Sequence, residues 1–140
     1  MKLSKFLFAG CLAAAMSVAV SCGKSNNPVD QYVDVLDKAI STMEKVSSAE
    51  ELSTAQSLIS PEDAAEIVRN NADYELTEAD KEKLKKAEHK LIDLSIEKTL
   101  KYNNLPEEYK EAAKAQMELL IDANDKRIDN AKTLGDLGNL

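Results

Sequence analysis

Aromatic side chains are scarce in this chain, and their distribution is uneven. There is no tryptophan, and both phenylalanines, Phe6 and Phe8, lie in the first ten residues, so the remainder carries only Tyr32, Tyr74, Tyr102 and Tyr109. Binding of sugar rings or nucleobases relies on aromatic platforms, and four scattered tyrosines argue against that role. Glycine is equally sparse, with Gly135 and Gly138 accounting for two of the four. No glycine-rich loop is available to cradle a phosphate, and no Gly-x-Ser-x-Gly turn to present a nucleophilic serine. One histidine, His89, and two cysteines, Cys11 and Cys22, fall short of the usual zinc ligand set. Positive charge is also short, with 18 basic against 25 acidic residues and a net charge of −7. A surface of that sign repels phosphate backbones and anionic lipid alike, which excludes nucleic acid as a partner.

Hydrophobicity concentrates at the start. Lys2 and Lys5 precede the uncharged run Phe6–Val20, "FLFAGCLAAAMSVAV". A positive segment followed by an apolar one is the pattern of an export signal. Fifteen residues are short for a membrane span, which needs about 20. The run ends in "AVSC", Ala19 to Cys22. This tetrapeptide resembles the lipobox of bacterial lipoproteins, and its departure from the strict pattern, Ala19 where Leu is usual, is similar to the relaxed lipoboxes of Bacteroidota lipoproteins. The resemblance covers the first two dozen residues and implies cleavage before Cys22 with an acyl anchor on that residue. Ordinary secretory cleavage after Ser21 also satisfies the small-residue rule. It would leave Cys22 as a lone exposed thiol with no partner for a disulfide, since Cys11 departs with the signal. Acylation removes that liability. The residues after the anchor, "GKSNN", contain no acid before Asp30. On the same resemblance, this implies the bacterial outer membrane, with the domain lipid-anchored and facing the periplasm.

These features divide the chain into a cleaved signal (1–21), a lipidated Cys22 with a polar linker (22–27), a helical domain (28–135) and a flexible tail (136–140). Cleavage leaves 119 residues, enough for one modest core, and loss of Lys2 and Lys5 shifts the charge from −7 to −9.

Everything beyond the linker reads as helix. Asn27-Pro28 supplies a cap and a first-turn proline, and Val29, Val33, Leu36, Ile40 and Met43 recur at helical spacing, predicting a helix over about 28–47. "SAEE" at Ser48 and "SPED" at Ser60 match the capping box, predicting helices over about 49–59 and 61–71. Their apolar sides are Leu52, Ala55, Leu58 and Ile59, then Ala64, Ile67 and Val68. "TEAD" at Thr77 opens the longest segment, about 78–103, with Leu84, Ala87, Leu91 and Leu94 beside Ile92, Ile96 and Leu100. Pro106 breaks the chain at "NNLPEE", and a last helix over about 106–134 is expected to bury Tyr109, Ala113, Met117, Leu120, Ile121, Ile128 and Ala131, with Gly135 as a left-handed stop. No alternating strand pattern appears. The expected fold is an all-α antiparallel bundle of about three long helices, with a short helical excursion between the first two. The breadth of the apolar face at Leu91–Ile96 fits either a central position for its helix, which is the default, or a surface that meets a partner or a second copy.

Candidate chemistry is thin. His89 has Asp93 one turn away, with Glu82 and Glu88 nearby, a spacing that a metal can use. The lysines of "EKLKKAEHKLID" would repel the cation, so a solvated histidine is the simpler reading. "DYELTEAD" lacks the alternating ligands and central glycine of a calcium loop, and Glu107, Glu108 and Glu111 sit where a helix start favours negative charge. No catalytic, cofactor or metal residue is therefore assigned, and Cys22 is the single site expected. The function that follows is a non-catalytic, membrane-tethered lipoprotein that binds an envelope protein or itself as an accessory or scaffold subunit. Two competing expectations are a periplasmic helical protein holding a small ligand in an apolar cavity and a metal-dependent enzyme around His89.

Overall fold

A computed structural model describes residues 27–58 and 62–138. The signal, Cys22 and the linker up to Asn26 lie outside the described residues, as do Ile59, the Ser60-Pro61 cap and the last two residues of the tail. Among the described residues five α-helices follow one another: α1 (Pro28–Glu44), α2 (Ala49–Leu58), α3 (Glu62–Asn70), α4 (Glu78–Tyr102) and α5 (Glu107–Asn130), then a 3₁₀ turn at Leu134–Gly138. The fold is an all-α bundle of three long helices with the shorter pair inserted between the first two. None of the described helices is long and apolar enough to cross a membrane.

Local chemistry sets the helix starts. Asn27 Oδ1 accepts the Val29 amide at 2.8 Å with Pro28 opening α1. Ser48 Oγ accepts from the Glu51 amide at 3.1 Å to open α2, while the Glu51 carboxylate reaches back to the Ser47 amide and hydroxyl rather than to Ser48. At α4 the box closes in full: Thr77 Oγ1 accepts from the Asp80 amide at 3.1 Å and Asp80 Oδ2 from the Thr77 amide at 3.0 Å.

Helix ends are set by other elements. α1 stops at Glu44, three residues before its expected end, where the Lys98 ammonium of α4 donates to the Val46 carbonyl at 2.7 Å. α5 stops at Asn130 rather than near 134. Ala131 turns extended, and the chain there is tied to the segment before α4, with Leu76 donating to the Lys132 carbonyl, Leu134 to Tyr74 and Gly135 to Ala72, each at 2.9 Å. Gly135 is thus not a left-handed stop; it is glycine because a Cβ would stand 2.8 Å from the Ala72 carbonyl oxygen. The tie also corrects the expectation of a tail that frays from 136. Asp136–Gly138 complete the 3₁₀ turn, and Leu134 and Leu137 are buried in the core. Residues 139–140 lie outside the described residues. Between α4 and α5 the chain reverses through Asn104 in the left-handed region, φ 46°.

α4 is central: α1, α2 and α5 all pack on it. It runs parallel to α1, as Asp30 meets Lys83 near both helix starts and Val46 meets Lys98 near both ends. It runs antiparallel to α5, where Lys85 meets Asp129 and His89 meets Asp125. The bundle is antiparallel at only one of these two packings, because the excursion through α2 and α3 returns the chain to the level at which α1 began. The main core joins Val29, Tyr32, Leu36, Ile40 and Met43 of α1 to Leu84 and Leu91 of α4, Leu52 of α2, Ala64 of α3, Ile128 of α5 and Leu134. A second cluster, Ile92 and Ile96 with Leu100, Met117, Leu120 and Ile121, belongs to α4 and α5 alone.

With α4 as its main neighbour, α5 buries only Ala113 and Ile128 among its 24 residues. Tyr109, expected inside, is 55% exposed, since among the described residues no third helix lies over the first turns of α5. Leu58 is likewise 47% exposed at the end of α2, whose buried residues are Leu52 and Ala55.

Candidate functional site

The densest polar chemistry in the interior centres on Glu88. On α4 it sits one turn beyond Leu84 and three residues before Leu91, so the stripe that carries both leucines into the core carries a carboxylate with them. Only 2% of its side chain is exposed. Arg127 of α5 meets it, with Nη2 at 3.2 Å from both carboxylate oxygens and 2.8 Å from Asn124 Oδ1, while Nη1 donates to the Leu137 carbonyl at 3.0 Å. The Tyr32 hydroxyl of α1 donates to Glu88 as well. Asn124 Nδ2 is buried with no hydrogen-bond partner among the described residues, close enough to Glu88 to favour its charge. Burial pushes the Glu88 carboxyl above the ordinary glutamate value, and the Arg127 charge with its hydrogen-bond donors offsets this only in part. The effect of this carboxylate is to join α1, α4, α5 and the 3₁₀ turn through one hydrogen-bonded group.

A second buried carboxylate, Asp80, is 4% exposed at the start of α4. Burial raises its pKa, but hydrogen bonds from the Thr77 backbone and hydroxyl, from Tyr74 and from Asn27 together outweigh burial, and the carboxyl lies below the usual range. Its role is to cap α4 and hold the Tyr74 ring, whose hydroxyl donates to Oδ2 at 3.2 Å.

His89 is half-exposed, and its Nε2 lies 2.6 Å from Asp125 Oδ1 of α5. The carboxylates that the sequence offered to it are engaged elsewhere or directed away: Glu88 with Arg127, Glu82 with Lys85 at 3.6 Å, and Asp93 on the wall of a surface cleft. Among the described residues, no group of three His, Cys, Asp or Glu is gathered closely enough to hold a metal. Neither "DYELTEAD" nor the glutamates opening α5 converges on a point. Asp80 is drawn inward, and Glu107 turns to Lys110 at 2.8 Å.

The cleft opens at the loop end of the α4–α5 hairpin with a volume of about 480 Å³. Ile96, Leu100 and Met117 are the apolar part of its lining, with Asp93, Glu97 and Lys101 from α4 and Lys110 and Lys114 from α5. The outer face of α5, turned away from the cleft, carries Tyr109 and Leu119, the latter 68% exposed. Sequence reasoning placed Tyr109 inside and passed over Leu119, Arg127 and the burial of Glu88. The available signal was a charge within an apolar stripe, Glu88 between Leu84 and Leu91 and Arg127 beside Ile128. Cys22 lies outside the described residues. No protein-family model, curated protein or solved structure matches the chain.

Proposed function

We propose that this chain is a non-catalytic accessory or scaffold subunit of the bacterial envelope, bound to the membrane through an acyl chain on Cys22 and to another protein through its helical domain. The observation that carries the protein-binding part is the α4–α5 hairpin, whose outer α5 face no other described helix covers. It holds two of the three exposed large hydrophobic residues among those described, Tyr109 and Leu119, and, on another side of α5, a cleft whose lining includes Ile96, Leu100 and Met117. The anchor rests on "AVSC" and the apolar run before it. Glu88, Asp80 and Tyr74, groups that burial perturbs, stand in hydrogen-bonded networks, and none of them lines the cleft described above.

The test is in-cell crosslinking of tagged wild-type and Cys22→Ala chains in the native host, with membrane fractionation and mass spectrometry of what co-purifies. One envelope protein recovered in near-stoichiometric amount with the wild type and lost with Cys22→Ala supports the reading. Identical fractionation of both forms, each recovering only itself, refutes it. A small-ligand role has the cleft in its favour, since its volume falls in the range of small-molecule sites. That role requires a ligand-dependent rise in Tm that Met117→Lys abolishes.

A further inference from the structure

The outer face of α5 has a pattern that its own fold does not use. Tyr109, Ala112, Gln116, Leu119 and Ala123 follow one another at steps of three, four, three and four, and all five are exposed. This is the spacing of the seam that one helix presents to another. It lies beside the stripe at Ala113, Met117 and Leu120 by which α5 packs on α4, and so forms a second face of about 21 Å at 1.5 Å per residue. Gln116 stands at its centre, and one polar residue in an apolar seam fixes the register of a partner. Along the solvent edge of the seam run Glu108, Glu111, Glu118 and Asp122, all exposed. Asp122 pairs with Lys126 at 2.7 Å, while Glu108, Glu111 and Glu118 form no ion pair among the described residues.

Resting on the protein-binding reading above, we infer that this seam of α5 docks an amphipathic helix of another protein whose flanking positions are basic. Charge selects the occupant. Two copies of this chain pairing antiparallel through the seam would set one acidic edge against the other, on a protein already at −7. A helix carrying Lys or Arg beside its apolar positions would place those charges along Glu108, Glu111, Glu118 and Asp122.

A photo-crosslinking amino acid at Ala112 and, separately, at Gln116 of the full chain in its native host tests this, with Ser53 on the exposed side of α2 as the comparison position. The expected product joins position 112 or 116 to a helical segment of another protein with net positive charge, identified by peptide mapping. Its yield falls about tenfold with Leu119→Asp and with the pair Glu111→Lys and Glu118→Lys, the scale of losing an interface anchor. Both substitutions are at exposed positions, and circular dichroism melts identify a variant that fails to fold, in which case Tyr109→Ser replaces it. A crosslink to a second copy, to residues 6–20 of the chain itself, or to a segment without positive charge overturns the inference. If a partner protein crosslinks from Ser53 or another face but not from 112 or 116, the inference falls and the protein-binding function stands. If no position captures another protein, both fall.

Discussion

Replacing Arg127 by methionine isolates the buried charge that joins the bundle. The side chain keeps its apolar length, but Glu88 loses the cation 3.2 Å from both its oxygens, and the Leu137 carbonyl and Asn124 Oδ1 lose their donor. The Tyr32 hydroxyl remains as a donor to a carboxylate with 2% exposure. Removing one partner of a buried pair costs about 3–5 kcal/mol, because the other charge is left uncompensated. That is a large share of the roughly 5–15 kcal/mol available to a domain. The sign of the pH dependence follows from burial. The Glu88 carboxyl already lies above its unfolded value, so the native state binds that proton more tightly, and the contribution of Glu88 falls as pH rises through its native pKa. Without Arg127 the pKa rises further, and the cost shrinks as acid supplies the proton. Urea unfolding of residues 22–140, followed by far-ultraviolet circular dichroism, should therefore show a deficit of about 3–5 kcal/mol near pH 7 and a distinctly smaller one near pH 5. The double variant Glu88→Met with Arg127→Met removes both charges and should recover most of the loss. A single variant within about 1 kcal/mol of the wild type at neutral pH, or a deficit independent of pH, would refute the idea that a buried ion pair organises this interior.

Further outcomes follow from neighbouring geometry. Gly135→Ala should destabilise by about 1–3 kcal/mol, since the new methyl meets the Ala72 backbone oxygen at 2.8 Å, whereas Gly138→Ala meets only the movable Val68 side chain at 2.9 Å and should cost less; equal losses in a thermal melt would contradict this ordering. Lys98→Met should cost about 1.5 kcal/mol and speed amide exchange over the last turn of α1, because the Val46 carbonyl loses its cationic donor; unchanged exchange there would show that the lysine is not the cap. Asp80, whose carboxyl is held below the usual range, contributes stability in full above the unfolded value of about 3.9 and loses it as pH falls through the native one. Asp80→Asn should flatten that acid-side decline in a pH series of urea midpoints, and an unaltered slope would assign the decline to other carboxylates.

What could be read in advance was local. A helix start needs a capping side chain within three residues of the amides it satisfies, so Asn27, Ser48 and Thr77 mark true beginnings. The 3.6-residue period placed Leu36, Ile40, Met43, Leu84 and Leu91 in the core before any packing was known. Helix ends were read less well, because their determinants come from distant residues. Lys98 is 52 positions from the carbonyl it caps, and the tie that stops α5 is made by residues preceding α4. Spacing offers His89 either solvent or Asp93, one turn away on its own helix, whereas the structure gives it Asp125 across the hairpin.

By itself the sequence determined the class of fold, its helical segments, its acidity and the apolar start that ends in Cys22, since periodicity, caps and charge act over a few residues. The tertiary structure decided the parallel course of α1 and α4, the burial of Glu88 against Arg127 39 positions away, the ordering of the turn at Leu134–Gly138, and which apolar residues are left to solvent. A periodic pattern states that a residue faces one side of a helix; whether a neighbour covers that side depends on how many helices arrive there, and among the described residues none arrives beside Tyr109 and Leu119.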